Sequence, residues 1–261
     1  MQRYAIILVA GTSQRFGQGD KCLALIHGKP IALYAFEALC RSEIFDHYFF
    51  VHRSEAQRKV LETFLEKYFS PQILAQVSWV MGGADRMHSV GNALQWIRER
   101  LRLEAFIFIH DGARPMLSIK NILGMNALLS EEWGIVLGHR ITDTILSVDI
   151  NGDHSLLSLD AREKASVLEH YPPDDLLKVD VVSKEGRKYP NRDQLWALET
   201  PQAFYLPKIF EDYCRALHSK QRFTDDSSLF SGAVKIFENC GLNPKVTFLR
   251  DLAFLEKFLA P

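Results

Sequence analysis

The stretch from Ala5 to Leu25 constrains the fold of this 261-residue sequence more than any other. It begins with five consecutive apolar residues, Ala5 to Val9, a run that is too short for a helix and rich in branched side chains. Such a run predicts a β-strand that is buried on both faces. Small and cationic residues follow at once, among them Gly11, Arg15 and Lys21. Because small residues let backbone amides approach a ligand and fixed cations attract anions, this loop is suited to a phosphate.

The loop matches neither of the two best-known phosphate-binding patterns. A Walker A loop counted from Gly11 requires its second glycine where Phe16 stands, and no Gly-Lys-Ser/Thr follows. The dinucleotide-binding fingerprint fails as well, because Ser13 and Phe16 occupy positions where glycine is required. From this stretch alone, a flexible surface loop with two ordinary cations stays an open alternative.

Composition narrows the class of protein. Hydrophobic residues make up 47% of the chain and charged residues 24%, which is typical of a globular protein. The net charge of −1 provides no overall basic field that would attract nucleic acid or an anionic membrane. No apolar run approaches the length of a membrane span, and the N-terminal run is too short for a signal peptide. The sequence therefore predicts a cytoplasmic protein that binds neither nucleic acid nor a membrane.

The cysteines give no sign of a metal site or of a disulfide framework. The four of them, Cys22, Cys40, Cys214 and Cys240, form no C-x-x-C pair and lie near no histidine cluster in the sequence. Free thiols in a reducing compartment are the expected state.

Short apolar strands alternate with helical segments along most of the chain. The predicted strands are Ala5 to Val9, His47 to His52, Val77 to Met81, Ala105 to Ile109, Gly134 to Gly138 and Ala233 to Phe237. The predicted helices are Ile31 to Cys40, Glu55 to Phe69, Arg86 to Leu101, Ile119 to Leu129, Leu206 to His218 and Asp251 to Leu259, with a short helix capped within Thr224-Asp225-Asp226. This alternation predicts an α/β fold with a doubly wound, mostly parallel sheet. Ligands of such sheets bind at the carboxyl ends of the strands, where the Gly11 loop, Gly82-Gly83 and Asp111 all fall.

The pattern changes between Arg140 and Asp193, where apolar alternation is weak and turn residues dominate. Asn151-Gly152 between two alternating stretches predicts a β-hairpin. We therefore expect one domain over residues 1–261, with residues 140–195 inserted as a protruding β-arm. Such arms commonly serve oligomerisation, and a disordered excursion is the alternative.

Seven segments occur together in a recognisable order. They are AGTSQRF-x4-K (10–21), GGADRMHSV (82–90), HDGARP (110–115), TDT (142–144), LETPQAF (198–204), TDDSS (224–228) and KVT-x3-DLA (245–253). Together they resemble the 2-C-methyl-D-erythritol 4-phosphate cytidylyltransferases of the non-mevalonate isoprenoid pathway, close relatives of the ribitol-5-phosphate cytidylyltransferases. The resemblance covers nearly the whole chain except residues 149–189.

The resemblance implies a Rossmann-like nucleotidyltransferase. Such an enzyme joins CTP to 2-C-methyl-D-erythritol 4-phosphate, a sugar-alcohol phosphate, and gives 4-diphosphocytidyl-2-C-methyl-D-erythritol and pyrophosphate. It uses Mg²⁺ and is a homodimer held together by its β-arm. A ribitol-5-phosphate or other polyol-phosphate cytidylyltransferase is the alternative enzyme, and a non-catalytic nucleotide-binding protein of the same fold is the alternative from another class.

The resemblance also implies roles for individual residues. The catalytic cations are Arg15, Lys21 and Lys245. The nucleotide is bound by the amides of Ala10, Gly11 and Thr12 at the triphosphate, and by Gly82, Gly83 and Ser89 at the cytosine. The metal faces Asp111, and the acceptor is bound by Asp111, Arg114, Thr144 and Arg192, partly from the neighbouring subunit. Without the resemblance, Asp111 could merely cap a turn, and a lone histidine such as His110 is more often structural than a base.

Several positions depart from the family pattern. Asp20-Lys21-Cys22 stands where Pro-Lys-Gln is usual, Ser13 replaces a loop glycine, and Ala84 replaces a residue that is commonly acidic. An acidic neighbour weakens the positive field of Lys21 unless Asp20 points away or pairs with Arg15. These departures put the identity of the acceptor in more doubt than the nucleotidyl transfer.

Overall fold

A seven-stranded β-sheet forms the centre of the structure, a computed structural model that describes residues 1–17, 19–148, 187–219, 223 and 225–259. The predicted Asn151-Gly152 hairpin lies outside these residues, as does Thr224, the first residue of the predicted capping segment. The strands are β1 (Gln2–Leu8), β2 (Leu25–Ile26), β3 (Lys29–Pro30), β4 (His47–His52), β5 (Val77–Met81), β6 (Ala105–Asp111), β7 (Trp133–Arg140), β8 (Ser147–Val148), β9 (Arg187–Lys188), β10 (Trp196–Tyr205) and β11 (Ala233–Glu238). Strand order in the large sheet is β11-β7-β10-β6-β1-β4-β5, while β2-β3 and β8-β9 form separate pairs.

The sheet is mostly parallel, as predicted. Strand β1 lies between β4 and β6 and runs parallel to both, so that Leu8 is in register with Val51 on one side and Asp111 on the other. Strand β10 is the exception, because it runs antiparallel to β6. The sequence did not predict β10, since Pro201 within it lacks the N–H that a strand in the middle of a sheet normally donates.

The helices follow the strands in alternation, and most end within two residues of their predicted limits, but a short helix that begins at Pro71 was not predicted and the last helix ends at Leu255 and not at Leu259. They are α1 (Ile31–Arg41), α2 (Glu55–Tyr68), α3 (Pro71–Leu74), α4 (Arg86–Arg100), α5 (Ile119–Ala127), α6 (Leu206–Ser219), α7 (Asp226–Leu229) and α8 (Arg250–Leu255). Ser54 caps α2 by accepting a hydrogen bond from the Gln57 amide at 3.2 Å, which satisfies a donor that the first turn leaves unpaired. Asp85 caps α4 in the same way through the His88 amide. Among the described residues, no helix has both the length and the apolar character needed to cross a bilayer.

Apolar side chains pack on both faces of the sheet, which makes it doubly wound. Along β1, Ala5 and Ile7 join the apolar cluster that includes α1, whereas Tyr4 and Ile6 join the cluster that includes α4 and α6. Phe36 of α1 is fully buried at the centre of the first cluster. Its ring centroid lies 5.1 Å from those of Tyr48 and Phe50 and 4.7 Å from that of Phe69.

The chain divides into two compact units. The first comprises Met1–His139 and Leu198–Pro261, and the second comprises Arg140–Ala197. Within the second unit, β8 and β9 pair antiparallel, with Ser147 opposite Lys188. The use of residues 140–195 as a dimerisation arm stays a prediction.

His110, near the end of β6, holds three segments of the first unit together. Its Nε2 lies 3.1 Å from the carbonyl oxygen of Arg114, and its Nδ1 lies 3.1 Å from Thr200 Oγ1. Thr200 Oγ1 in turn accepts a hydrogen bond from the Asp111 amide at 3.0 Å. A neutral imidazole that donates through Nε2 and accepts at Nδ1 satisfies all of these contacts. Burial lowers the pKa of His110 to about 4, so the histidine is neutral and structural.

This burial predicts a pH-dependent stability. Between its ordinary pKa near 6.5 and about 4, the unfolded chain binds a proton at His110 that the folded chain does not. The free energy of unfolding should therefore fall by about 3 kcal/mol from this residue as pH is lowered from 7 to 4. Urea unfolding at both pH values should show a correspondingly smaller fall in His110→Gln. The exposed His218→Gln is the control and should keep the wild-type pH dependence, while an unchanged dependence in His110→Gln would contradict the assignment.

A second prediction concerns the core around Phe36. Replacing Phe36 by Ala removes a fully buried ring that contacts three other aromatic rings, so the free energy of unfolding should fall by about 3–5 kcal/mol. Equilibrium denaturation in urea measures this change. Phe258→Ala is the matched control, because its residue is 52% exposed and its truncation should cost far less. Equal losses in the two variants would rule out Phe36 as a core anchor.

Candidate active site

A cavity of about 370 Å³ lies where β1 and β6 end and where the chain leaves β5. This is the edge of a parallel sheet at which ligands of such folds bind. The cavity is lined by Leu8, Ala10, Gly11, Thr12, Lys21, Cys22, Gly83, Ala84, Asp85, Arg86, Ser89, Asp111, Ala113 and Lys245. Its walls thus come from the loop after β1, the start of α4, the end of β6 and a segment near the C-terminus.

Most of the site residues predicted from the sequence meet at this cavity. The ones that line it are Ala10, Gly11, Thr12, Lys21, Gly83, Ser89, Asp111 and Lys245. Three others belong to the same unit but do not line the cavity, namely Arg15, Gly82 and Arg114. Thr144 and Arg192 belong to the second unit, where Arg192 Nη1 donates to the carbonyl oxygen of Thr142 at 3.0 Å. The roles of all of these residues stay predictions.

The loop after β1 is closed on itself by Ser13. This residue takes a left-handed backbone conformation, with φ of 57°, at a position where a glycine was expected. Its Oγ accepts a hydrogen bond from the Lys21 amide at 3.2 Å, which joins the two ends of the loop. Within the described part of the chain, the amides of Ala10, Gly11 and Thr12 donate to no protein acceptor. These amides are therefore available to an anion.

Gly82 and Gly83 lie where no side chain fits. A Cβ on Gly82 would lie 2.7 Å from Ala10 Cβ and 3.2 Å from the carbonyl oxygen of His52, and a Cβ on Gly83 would lie 2.3 Å from His88 Cβ. Ser89 Oγ accepts from the Gly83 amide at 3.1 Å and donates to the Asp85 carbonyl at 2.7 Å. The hydroxyl hydrogen of Ser89 is therefore used inside the protein, and only a remaining lone pair is left for a donor on a ligand.

Lys21 is half-buried in the cavity wall and forms no salt bridge with any of the described residues. Burial lowers its pKa from the ordinary lysine value, and repulsion from Lys245 and Arg15 lowers it further. A phosphate in the cavity would relieve that repulsion and favour the charged amine.

Asp111 is the only one of the predicted site residues with a carboxylate, and two cations hold it. Its Oδ2 lies 2.6 Å from Lys245 Nζ, and its Oδ1 lies 3.4 Å from Arg86 Nε. Burial by itself would raise the pKa of Asp111, but the charges of Arg86 and Lys245 outweigh burial and hold the pKa well below its usual range. The carboxylate is therefore ionised at neutral pH.

Sequence reasoning missed the group that holds Arg86 in place. Both guanidinium nitrogens Nη1 and Nη2 donate to the carboxylate of Asp226, at 2.8 Å and 2.7 Å, and Asp226 is fully buried. The hydroxyl of Tyr213 donates to the same carboxylate. Arg86 and Asp226 both lie in segments that carried the family resemblance. Their opposite charges were the one feature of the sequence that could have indicated this ion pair. The expected cap of α7 is Asp225, which accepts from the Ser227 amide, while Asp226 begins the helix and points inward.

Asp20, the acidic residue beside Lys21, is neutralised by a cation from a different part of the chain. Asp20 Oδ2 lies 3.0 Å from Arg53 Nη2, and only 5% of the Asp20 side chain is exposed. Pairing with Arg15, one of the two arrangements considered from the sequence, is not the one formed, and Arg15 lies on the exposed side of the loop. Arg53 follows β4, which the sheet places next to β1.

Arg114 follows the end of β6 and keeps one donor unused. Its Nη1 donates to the carbonyl oxygen of Asn243 at 2.7 Å. Its Nε is buried and has no hydrogen-bond partner among the described residues. A buried donor left unpaired costs free energy, so an incoming acceptor would stabilise it.

A family model and curated relatives match this chain over nearly its whole length. The family model for 2-C-methyl-D-erythritol 4-phosphate cytidylyltransferase matches residues 4–173 and 154–260. A protein of that name from Bacillus cytotoxicus is 30% identical over 258 residues, which cover 97% of this chain and 96% of the relative. One from Dictyoglomus thermophilum is 29% identical over 259 residues, which cover 98% of this chain and 95% of the relative.

Solved structures show the same fold. The 4-diphosphocytidyl-2C-methyl-D-erythritol synthase from Anaerococcus prevotii matches with a TM-score of 0.71 at 23% identity, over 98% of this chain and 95% of the other. The 2-C-methyl-D-erythritol 4-phosphate cytidylyltransferase from Francisella tularensis matches with a TM-score of 0.69 at 23% identity, over 99% of this chain and 100% of the other. The structural likeness supports the Rossmann-like architecture, and the family model spans nearly every residue. This chain belongs to the 2-C-methyl-D-erythritol 4-phosphate cytidylyltransferase family, a family of nucleotidyltransferases.

Proposed function

We propose that this chain transfers the cytidylyl group of CTP to 2-C-methyl-D-erythritol 4-phosphate. A phosphate oxygen of the acceptor forms a bond to the α-phosphorus of CTP, and the bond from that phosphorus to the bridging oxygen breaks. The products are 4-diphosphocytidyl-2-C-methyl-D-erythritol and pyrophosphate. The observation that carries the proposal is the grouping of Lys21, Lys245 and Arg86 around one cavity that also has unpartnered backbone amides.

Binding of the triphosphate is assigned to the loop after β1. The amides of Ala10, Gly11 and Thr12 donate to phosphate oxygens, and Lys21 neutralises their charge. Phosphoryl transfer of this kind depends on positioning and on fixed positive charge more than on a protein nucleophile. The acceptor phosphate is already ionised, so the reaction needs no general base, and the neutral His110 has no part in it.

Lys245 is assigned to the reacting phosphate. In the free protein its amine is paired with Asp111 at 2.6 Å, and 39% of the side chain is exposed. A phosphate oxygen can therefore replace Asp111 as its partner without moving a buried group. Negative charge that develops on the bridging oxygen during transfer is then stabilised by an amine that is already in position.

Mg²⁺ is the proposed cofactor, with Asp111 as its protein ligand. Among the described residues, no cluster of three histidine, cysteine or acidic side chains could hold a metal ion by itself. One carboxylate still fits Mg²⁺, because this ion is usually held by one or two carboxylates together with substrate phosphates. When bound, the ion would neutralise phosphate charge.

Cytosine is assigned to Gly82, Gly83 and Ser89, of which Gly83 and Ser89 line the cavity. A Cβ at either glycine would clash within the protein, so this part of the wall is backbone alone, and we assign it to contact with a flat base. The remaining lone pair of Ser89 Oγ is suited to a donor on the base, such as an exocyclic amine.

The acceptor phosphate is assigned to Arg114, Thr144 and Arg192. The buried, unpartnered Nε of Arg114 supports its part of the assignment. Thr144 and Arg192 lie in the inserted unit, and we propose that this unit completes the site of a second subunit in a homodimer. A monomeric mass in analytical ultracentrifugation at assay concentration would contradict the homodimer.

A cytoplasmic location is part of the proposal. Its support is that Cys22, Cys40, Cys214 and Cys240 are all free thiols, a state that a reducing compartment maintains. Recovery of the protein from an extracellular or periplasmic fraction would contradict it.

The proposed function is tested by measuring pyrophosphate release with CTP and Mg²⁺, offering methylerythritol phosphate and ribitol phosphate separately. Turnover is expected with the first acceptor, at a kcat/KM at least about tenfold above that with the second, because a missing or misplaced hydroxyl leaves buried polar groups unpaired. Preference for ribitol phosphate would move the chain to the sister activity. Binding of CTP without turnover on either acceptor would contradict catalysis as proposed.

The assigned cations give a second test. Lys21→Ala and Lys245→Ala should each lower kcat/KM by about 10²-fold or more, because each removes a charge aimed at the transferring phosphate. Lys21 forms no salt bridge with the described residues, so Lys21→Ala should change thermal unfolding little, whereas Lys245→Ala also removes a cation from the buried Asp111 and should lower the unfolding temperature. Lys235→Ala, on the edge strand β11, is the control and should keep wild-type kinetics. Near-normal activity in both site variants would rule out the mechanism.

A further inference from the structure

The loop after β1 is tied to the start of α2 by two side chains to which the proposed reaction gives no role. Arg53 Nη1 donates to the carbonyl oxygen of Gly11 at 2.8 Å, and its Nη2 lies 3.0 Å from Asp20 Oδ2. Gln57 is 3% exposed, and its Nε2 donates to the carbonyl oxygen of Val9 at 2.8 Å and also to the Asp20 carboxylate. The Arg53 amide donates to Gln57 Oε1 at 2.8 Å, so the two side chains support each other.

These contacts fix the direction in which particular amides point. In a trans peptide the C=O of one residue and the N–H of the next point to opposite sides of the same plane. By holding the Val9 carbonyl, Gln57 directs the Ala10 N–H away from α2. By holding the Gly11 carbonyl, Arg53 does the same for the Thr12 N–H. Ala10 and Thr12 both line the cavity, and within the described chain their amides have no protein acceptor.

The same contacts neutralise the negative charge of Asp20. Asp20 is next to Lys21 in sequence and its side chain is 5% exposed, so its charge is poorly screened by water. Left alone, this carboxylate would oppose an anion approaching the loop. The guanidinium of Arg53 neutralises it from the side that faces α2, and Gln57 donates a further hydrogen bond. Asp20 keeps one oxygen for the Cys22 amide, which it caps at 2.9 Å.

We propose that Arg53 and Gln57 form a positioning clamp for the nucleotide triphosphate. The clamp orients the Ala10 and Thr12 amides toward the phosphates, and its arginine cancels the charge of Asp20 so that the field of Lys21 reaches the ligand. Arg53 is thus a positioning residue, since it acts through the loop. The inference rests on the proposed function in taking CTP as the ligand.

The test is the dissociation constant of CTP, measured by isothermal titration calorimetry at low and high salt, so that it does not depend on turnover. Arg53→Met keeps the aliphatic stem but removes the charge and the donors. It should weaken CTP binding at least about tenfold, because it exposes the ligand to an unpaired carboxylate and frees the Gly11 carbonyl. Asp20→Ser removes the charge but keeps a capping oxygen for Cys22, and it should leave the dissociation constant within about twofold of wild type.

The double variant shows whether Arg53→Met weakens binding because the charge of Asp20 is no longer neutralised or because the loop is disrupted. If the clamp works as proposed, Arg53→Met/Asp20→Ser should recover most of the affinity lost in Arg53→Met, and the salt dependence of binding should return toward wild type. Arg58→Met is the matched control. Arg58 is an arginine in α2 that pairs with Glu62 at 2.8 Å and touches no loop residue among those described, so its loss should leave CTP binding unchanged.

The other outcomes separate the two proposals. Unchanged binding in Arg53→Met, or a double variant as weak as Arg53→Met alone, overturns the charge-cancelling clamp even if wild type turns over normally. Wild-type CTP binding without turnover overturns the proposed function but leaves the clamp to be judged by the same titrations. Failure of wild type to bind CTP overturns both.

Discussion

The buried, ionised carboxylate of Asp111 is the feature on which the rest of the site depends. It ends the central strand β6, and a buried carboxylate without partners would either take up a proton or destabilise the fold. Arg86 at the start of α4 and Lys245 after β11 provide those partners. Folding therefore has to bring three distant parts of the chain together at this point, and the cations that an anionic substrate needs are assembled before any substrate is present.

The two cations that hold Asp111 are not equivalent. Arg86 forms a bidentate ion pair with Asp226, which is fully buried and also accepts a hydrogen bond from Tyr213. If Arg86 changed its partner, the buried charge of Asp226 would be left unpaired. Lys245 has a compact charge on a flexible stem and is partly exposed, so it can exchange one anion for another at little cost. The site thus combines a cation that is fixed by a buried ion pair with a partly exposed cation that can exchange its partner.

The sequence predicted those features that depend on short stretches of the chain. Apolar runs located the parallel strands, and the loop after β1 with Asp111 was placed correctly at their carboxyl ends. Strand β10 was missed because Pro201 argues against a strand, and only its position between β6 and β7 makes the strand form. The partner of Asp20 was missed for a related reason: side chains choose partners in space, and Arg53 approaches the loop only because β4 lies beside β1.

The residues at which this chain departs from the family pattern require compensating contacts elsewhere in the structure. The charge of Asp20 opposes that of Lys21 unless a cation neutralises it. The left-handed backbone of Ser13 costs free energy, and the hydrogen bond from the Lys21 amide to Ser13 Oγ offsets that cost. Asp20, Asp111 and Asp226, three carboxylates in or around the site, are each paired with a cation when the chain folds. The amine of Lys21, which forms no salt bridge among the described residues, is then left to act on the ligand.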